Sequence, residues 1–174
     1  MKNTTKKIVV TTLLTGIALT GLLPIVTHAT TPNTKIVQTQ QNHRQTIEQT
    51  MTLAKQGKTI NSENFAIGSN GSDIKKKWGK PTSGDSTYLK YEKKKIMFLL
   101  SDGKVSEILS EDKRYEKITY DEVKQVLGNP KQETKGEDAI YVRYLAGKHQ
   151  IDFAFNYDKT GKKADTLKAV VLLP

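Results

Sequence analysis

The sequence contains no cysteine, and that absence excludes several classes of protein. A disulfide framework, a thiol nucleophile, a cysteine-ligated zinc site and an iron–sulfur cluster all require cysteine side chains. A lipobox, the attachment site of a lipid anchor, requires one as well. A chain of 174 residues nevertheless has the length to bury a hydrophobic core without such cross-links. We therefore expect one domain of ordinary size, with an extension at most.

Histidine is also scarce, and motifs of nucleophilic catalysis are missing. Beyond the N-terminal segment the histidines are His43 and His149, and no Gly-x-Ser-x-Gly motif occurs. We expect His149 to be a solvated turn residue and Asp152 to be an exposed acid within a strand. The oxygen-rich stretch 69–73 holds one carboxylate, fewer than a calcium loop needs. The sequence therefore predicts a protein that is not an enzyme, with no catalytic residue, cofactor or metal site.

Residues 1–29 contain no acidic residue and have the pattern of a signal peptide. Three lysines form a positive start, residues 8–26 are uncharged and mostly apolar, and residues 27–29 supply the small side chains that signal peptidase recognises. The alternative is a retained membrane anchor, because residues 8–26 could nearly span a bilayer. Threonine, glycine and proline within the stretch weaken that alternative. We expect cleavage after Ala29 and secretion of the remaining chain.

The secreted chain is basic but poor in arginine. Removal of the signal peptide takes away three lysines and lowers the formal net charge from +10 to +7. Outside a cell, such a charge favours anionic polymers or acidic proteins as partners. The few arginines, Arg44, Arg114 and Arg143, argue against a nucleic-acid partner read by bidentate contacts. With no stable membrane anchor after cleavage, the protein is expected to be extracellular, either released or associated with the cell wall.

A flexible leader is predicted for residues 30–43, followed by a helix from about Arg44. The leader is polar and has few apolar side chains. In the helix, Ile47, Met51 and Ala54 recur on one face, and a glycine follows that suits its end. The apolar face is narrow, so the helix is expected to pack on the rest of the fold.

The most informative feature is an internal repeat, because residues 70–81 and 119–130 align without a gap. Each stretch has an apolar pair at i, i+4 spacing, such as Ile74 with Trp78, and ends with glycine, one further residue and proline. Each stretch therefore predicts a helix of two turns that needs a sheet to pack on.

The two predicted helices begin with related capping patterns. Thr119 and Glu122 have the spacing of a capping box, in which each side chain satisfies a free amide of the first turn. Asn70 and Asp73 form a looser version of the same pattern. Both acids also lie where the helix dipole favours negative charge.

Strand-like sequence follows each short helix. Residues 151–157 alternate between apolar and polar side chains, as a half-buried strand does. Residues 96–100 are apolar on both faces, which predicts a central strand covered on each side. The predicted strands are residues 88–91, 96–100 and 105–109 in the first copy, and 140–145, 151–157 and 167–173 in the second.

Together these elements predict an α+β fold. Two tandem helix-plus-three-strand modules form one mostly antiparallel, six-stranded sheet with the helices on one face. Each module alone is too small to bury its apolar face. Residues 44–174 are therefore expected to form a single globular domain made of two repeats, at about 58–110 and 111–174.

The order of three segments, 54–58, 74–81 and 118–130, resembles the YjgB-like family of secreted Gram-positive proteins of unknown function. The helix-plus-meander modules also resemble BamE-like envelope lipoproteins and the beta-lactamase inhibitory protein. The YjgB-like family brings no reaction or cofactor, whereas the inhibitory protein implies binding through the concave sheet face and BamE-like modules imply protein contacts. This chain lacks the disulfides of the inhibitor and the lipid-bearing cysteine of BamE-like proteins, and likeness of fold does not establish function.

The predicted function is that of a secreted, non-catalytic binding module. Its expected partner is a protein at or outside the cell surface, contacted through the exposed sheet face. Aromatic and cationic side chains are enriched in interface hot spots. The candidate partner-binding residues are therefore the outward-pointing Tyr88, Lys90, Tyr141 and Arg143.

Clusters of lysine support an alternative, in which the protein is held at the cell wall by anionic polymers. The lysines lie near Trp78 and two tyrosines, a combination that binds anionic chains. The other interpretation is that these aromatic residues belong to the core and the lysines face solvent. The candidate polyanion-binding residues are Lys75, Lys76, Lys77, Lys80, Lys93, Lys94 and Lys95.

Overall fold

Three helices and eight strands make up residues 32–174, the part of the chain that the computed structural model describes. The predicted signal peptide, residues 1–29, lies outside the described residues. The helices are α1 (Pro32–Ala54), α2 (Gly71–Trp78) and α3 (Tyr120–Leu127). The strands are β1 (Ser83–Gly84), β2 (Tyr88–Tyr91), β3 (Ile96–Ser101), β4 (Lys104–Ser110), β5 (Gln132–Lys135), β6 (Ile140–Ala146), β7 (His149–Tyr157) and β8 (Ala164–Leu173).

All eight strands form one sheet in the order β1-β2-β3-β4-β8-β7-β6-β5, and every neighbouring pair is antiparallel. The first module, α2 to β4, and the second module, α3 to β8, have the same order of elements. They join where β4 pairs with β8, with Ile108 opposite Leu172 and Leu109 opposite Val171. The predicted α+β fold with one antiparallel sheet is confirmed.

Each module has one strand more than the sequence predicted. The additional strands, β1 and β5, are the two edges of the sheet, and all their residues are exposed. An exposed edge strand needs no apolar alternation, because neither of its faces is buried. The polar sequence Gln-Glu-Thr-Lys of β5 therefore carries no strand signal, and its charges discourage pairing with other chains.

The short helices occupy matching positions in the two modules but are capped differently. Thr119 and Glu122 form the predicted capping box at the start of α3, with the Thr119 N–H donating to Oε2 of Glu122 at 2.8 Å. The looser box predicted for α2 is not formed, because the Asn70 side chain makes no capping bond and donates to Asp73 at 3.3 Å. The first amide of α2, that of Gly71, instead donates to a carbonyl of the β3–β4 hairpin at 2.8 Å.

This difference predicts unequal effects of removing the two cap side chains. Thr119→Ala is expected to lower the free energy of unfolding by about 1 kcal/mol, since a capping hydrogen bond is lost. Asn70→Ala is expected to cost under about 0.5 kcal/mol, since no such bond exists there. Urea denaturation of both variants beside the unsubstituted protein checks this, and equal losses would contradict it.

The end of each short helix is tied to a strand by a tyrosine hydroxyl. Gly79 and Gly128 end the two helices with φ of 80° and 78°, a conformation that glycine adopts without strain. The Tyr91 hydroxyl donates to the Gly79 carbonyl at 2.9 Å, and the Tyr144 hydroxyl donates to the Gly128 carbonyl at 2.9 Å. The same contact therefore fixes the helix on the sheet in both modules.

One hydrophobic core lies between the helices and the sheet and includes residues of both modules. In the first module Trp78 packs edge-on against Phe65 and Tyr91, at centroid distances of 5.2 Å. In the second, Tyr120 packs edge-on against Phe155 at 5.5 Å. Because the core is continuous across β4 and β8, the modules share their buried surface.

Helix α1 begins at Pro32, well before the predicted start at Arg44, so much of the predicted flexible leader is helical. Ile47 and Ala54 are buried in the core as predicted, and Met51 is half-buried. His43, which the prediction had placed in the leader, contacts Glu122 of α3 through Nδ1 at 2.9 Å. Within the described part of the chain, no helix combines the length and apolarity of a membrane span.

Candidate functional site

Among the described residues, 32–174, no helix lies on one face of the sheet, which we call the helix-free face. On β2 and β6, Leu89 and Val142 are buried in the core, so the side chains beside them point the opposite way. The helix-free face therefore includes the four predicted partner-binding residues Tyr88, Lys90, Tyr141 and Arg143. A central row runs across six strands in register: Lys90, Met97, Leu109, Val171, Asp152 and Arg143.

The four predicted residues form two equivalent pairs. The β2 sequence Tyr88–Tyr91 is Tyr-Leu-Lys-Tyr and the β6 sequence 141–144 is Tyr-Val-Arg-Tyr. Their last tyrosines make the same bond to a helix-ending glycine, which establishes the correspondence. Alignment of the helices alone misses it, because the loops between helix and strand differ in length.

In the second module the side chains of this face are engaged by contacts within the chain. The Tyr141 ring packs against Ala154 and Ala169, both buried. Its hydroxyl donates to Asp138 at 3.1 Å, and Lys168 donates to the other oxygen of Asp138 at 2.7 Å. Partial burial, with the neighbouring Asp138 carboxylate, raises the pKa of Tyr141. Tyr141 is therefore held in place as a cover over two small side chains.

Arg143 is also engaged, by a bidentate ion pair with Asp152. Nε of Arg143 donates at 2.7 Å and its terminal nitrogen at 2.6 Å to the two carboxylate oxygens. The predicted exposure of Asp152 is wrong, since only 7% of the residue is accessible. The reason is register: Asp152 lies directly opposite Arg143 on β7, a pairing that sequence order does not reveal.

In the first module the equivalent positions are open. Lys90 contacts Glu92 at 3.4 Å with both side chains substantially exposed, and Met97 occupies the position of Asp152. A groove of about 420 Å³ lies here, lined by the aliphatic side chains of Ile96, Met97 and Leu109 and by the charged side chains of Lys90, Glu92, Lys95 and Glu111. Strand β3 was predicted to be covered on both faces, but on this side Met97 is half-buried with no layer above it in the described structure.

Beside the exposed Glu92 and Glu111 that line the groove, the helix-free face holds a further acid, Glu107. It is half-buried and faces the same way as Leu109, two residues further along β4. Burial raises the pKa of Glu107, and the Asp152 carboxylate adds to the shift. Within residues 35–174 its carboxylate has neither a hydrogen-bond nor an ion-pair partner.

The lysine clusters lie together on the other side of the first module. Lys77 of α2 and Lys94, from the turn between β2 and β3, approach opposite oxygens of Glu63 at 3.5 and 3.0 Å. The Lys94 ammonium also lies 4.4 Å from the Trp78 ring, whose Nε1 donates to Glu63 at 3.1 Å. Two clusters that are separate in sequence therefore meet in space at Lys77 and Lys94, around the Glu63 carboxylate, and Trp78 packs half-buried against the core.

The remaining predicted lysines lie on α2, just after it and in the β2–β3 turn. Lys75, Lys76, Lys80, Lys93 and Lys95 are exposed. A second groove, of about 400 Å³, is lined by Lys93, Lys94, Lys95 and Lys113 together with Asn61, Glu63 and Asp112. The stretch 71–100 carries eight lysines against three acidic residues, while 119–173 carries nine basic against eight acidic residues. The positive charge is therefore concentrated in the first module.

His149 is buried, contrary to the predicted solvated turn, with 5% of its surface exposed. The turn after α1 covers it, so that a Cβ added at Gly57 would lie 3.1 Å from its Nε2. Its Nδ1 has no hydrogen-bond partner within residues 32–174. Burial lowers the pKa of His149, Lys148 lowers it further, and a hydrogen bond with the Leu173 backbone opposes both.

Burial of His149 predicts loss of stability on mild acidification. The unfolded chain binds the proton with the ordinary pKa of about 6.5 and the folded chain more weakly. The contribution of neutral, buried His149 to the free energy of unfolding is therefore complete above about pH 6.5. It is lost as the pH falls through the lower, folded-state pKa. His149→Gln is expected to lessen the decline in unfolding free energy between pH 7 and 5, measured by denaturant titration. An unchanged pH dependence would contradict this.

Within residues 32–174 no three histidine or carboxylate side chains come together as metal ligands would. The helix-free face presents tyrosines, long cations, aliphatic side chains and carboxylates. The fold defines the class of this protein, an α+β chain whose two modules share one eight-stranded antiparallel sheet.

The particular family follows from comparison of the sequence. Residues 47–172 match the DUF4309 family, a domain of unknown function, and the chain belongs to that family. Among solved structures, the crystal structure of YjgB, a DUF4309 family protein from Bacillus subtilis, is similar with a TM-score of 0.63 and 19% sequence identity. The match covers 76% of this chain and 98% of that one. None of the curated proteins matches the chain. The predicted resemblance to a YjgB-like family of unknown function is confirmed.

Proposed function

We propose that this protein is a secreted, non-catalytic binding module whose helix-free face contacts a protein partner. The observation that carries the proposal is the composition of that face, where tyrosine, methionine and long cationic side chains surround half-buried aliphatic residues. Tyrosine, methionine and arginine are enriched in protein interfaces. Within the described structure no element covers these side chains.

The contacts of Asp152 and His149, side chains of types that act as general bases, support the non-catalytic part of the proposal. Nucleophilic and acid–base catalysis need a base within hydrogen-bond reach of the group it activates. Asp152 is engaged by Arg143, and the buried Nδ1 of His149 has no partner among the described residues. Neither is therefore placed as a general base.

Photo-cross-linking from the helix-free face tests the proposal. Benzoylphenylalanine replaces Tyr88 in the secreted form of the chain, and the protein is irradiated on the surface of the producing cells. We expect a discrete cross-linked protein that excess unlabelled chain competes away. The matched control carries the same group in place of Gln125, an exposed residue of α3 on the helix side.

A second substitution shows whether the cross-link depends on the face itself. Leu109→Lys replaces an aliphatic side chain of the groove by a charged one and is expected to remove the cross-link from position 88 while leaving the fold intact. Fluorescence of Trp78, on the helix side, reports folding. A cross-link that cannot be competed away, or one of equal strength from positions 88 and 125, would overturn the proposal.

A second candidate function is retention at the cell wall by anionic polymers. Its support is the convergence of the lysines of α2 and of the β2–β3 turn on a single carboxylate, Glu63. Lysine side chains that neutralise a polyanion release its counterions, so such binding weakens steeply with salt. The lysine surface and the helix-free face adjoin at Lys95, which lines the groove on each.

Co-sedimentation with purified walls tests this second function. The triple variant Lys76→Gln, Lys80→Gln, Lys93→Gln is compared with Lys159→Gln, Lys162→Gln, Lys163→Gln, which removes equal charge from an exposed loop of the second module. We expect binding to fall steeply between about 50 and 500 mM salt, and to be weakened more by the first triple variant. Binding that ignores salt, or equal effects of the two variants, would contradict the candidate.

A further inference from the structure

The two halves of the helix-free face differ in how far their side chains are engaged by contacts within the chain. At each equivalent position the second module satisfies its side chains internally, whereas the first leaves them free to meet a partner. Tyr141 bonds to Asp138, but the Tyr88 hydroxyl has no hydrogen bond within residues 35–174. Arg143 is clamped by buried Asp152, while Lys90 has only a longer contact with exposed Glu92.

The clearest difference lies in the residues across the sheet from Tyr88 and Tyr141, the equivalent tyrosines of the two modules. In register, Tyr141 is followed across the sheet by Ala154 and Ala169, and Tyr88 by Leu99 and Glu107. The second module thus has two alanines covered by a ring, where the first has a leucine and a carboxylate. A half-buried carboxylate pays a desolvation cost unless a cation meets it. No cation among residues 35–174 does so, in a chain that is otherwise rich in lysine.

The spacing of features along β4 indicates the shape of what binds there. Glu107 and Leu109 lie on the same face two residues apart, and Leu109 lines the 420 Å³ groove. Two residues of a strand span about 7 Å. An extended peptide also presents every second side chain to the same side at that spacing. A basic side chain and an aliphatic side chain at positions i and i+2 would therefore reach Glu107 and the groove together.

We infer that the first-module half of the helix-free face binds an extended segment of the partner in which lysine or arginine stands two residues from an aliphatic side chain. The basic group pairs with Glu107, and the aliphatic group enters the groove beside Met97 and Leu109. The inference rests on the proposed function and names the partner's chemistry. In the second-module half the equivalent side chains, Tyr141 and Arg143, are engaged by contacts within the chain.

Selection from a random peptide library tests this inference, with seven-residue peptides displayed on phage and the secreted chain immobilised. We expect enriched peptides to carry Lys or Arg two positions from Leu, Ile, Val or Met. A synthetic peptide of the enriched sequence is expected to bind Glu107→Gln at least about tenfold more weakly, since a charge-assisted contact is lost. Leu109→Lys is expected to abolish its binding.

Matched controls separate recognition from folding. Glu137→Gln removes an exposed acid from a loop of the second module and is expected to leave peptide binding unchanged. Glu107→Gln is expected to keep or raise stability, because the buried charge disappears, so a loss of binding cannot be attributed to unfolding. Enriched peptides without a basic residue, or binding that is equal with Glu107→Gln, would overturn the inference.

The cross-link from position 88 is scored separately, so that the two proposals fail in distinguishable ways. A competed cross-link together with peptides that ignore Glu107 overturns this inference and leaves the proposed function standing. Loss of the competed cross-link overturns both. Concentration-dependent dimerisation that Glu107→Gln abolishes, measured by analytical ultracentrifugation, would make the occupant a second copy of this chain and also overturn the inference.

Discussion

Phe153→Ala is expected to lower the free energy of unfolding by about 3–5 kcal/mol and to destabilise both modules together. Phe153 is fully buried on β7, in the core that continues through β8 and β4 into the first module. Trp78 is the single tryptophan and lies in the first module, so its fluorescence reports the distant half of the molecule. We expect the fluorescence and far-UV circular dichroism transitions to move to lower denaturant concentration together.

The control for this experiment is Leu145→Ala. Leu145 is 58% exposed on β6 of the same module, so its truncation is expected to change stability by less than about 0.5 kcal/mol. A fluorescence transition that stays in place while circular dichroism shows an early loss would contradict a shared core. It would mean that the modules unfold independently.

Arg143→Ala is expected to lower the free energy of unfolding by about 2–3 kcal/mol. Truncation of the arginine leaves the Asp152 carboxylate buried without its partner, which is the costly way to break an ion pair. The figure lies below that for fully buried pairs, because 33% of the Arg143 side chain is exposed and solvent screens part of the interaction. Denaturant titration at pH 7 measures it.

Replacement of both partners separates the ion pair from simple packing. The double variant Arg143→Met with Asp152→Met puts at position 152 the residue found at the equivalent position of the first module, Met97. It is expected to recover most of the stability lost in Arg143→Ala, because no charge remains buried. A double variant less stable than Arg143→Ala would show that the pair stabilises the fold beyond its cost of burial.

Local sequence signals predicted the elements well. The two short helices begin and end where the capping and glycine patterns indicated, and six strands lie where strand-like sequence indicated them. The two further strands escaped prediction because both lie at exposed edges, where burial imposes no pattern. Helix α1 extends through residues predicted to be flexible, and its contact from His43 to Glu122 joins groups that sequence distance separates.

For the candidate binding residues too, the sequence predicted one part and only the structure showed the other. Tyr88, Lys90, Tyr141 and Arg143 could be assigned to one face of the sheet, because alternation along each strand decides which side chains share a face. Alternation does not decide which of them are already engaged. Arg143 was predicted as a contact residue, yet the structure pairs it with Asp152, whereas Glu107 drew no attention in sequence. An acidic residue within a strand is a weak signal unless its partners across the sheet are known.

The sequence by itself determined the two helix-plus-meander modules, the excess of lysine and the absence of cysteine chemistry, because each depends on neighbours a few residues apart or on composition alone. Only the tertiary structure decided how the halves of the helix-free face differ. Strand register and the pairing of β4 with β8 bring together residues that are far apart in the chain. As a result, Asp152 is paired with Arg143, His149 is buried, and Glu107 has no partner in the described structure.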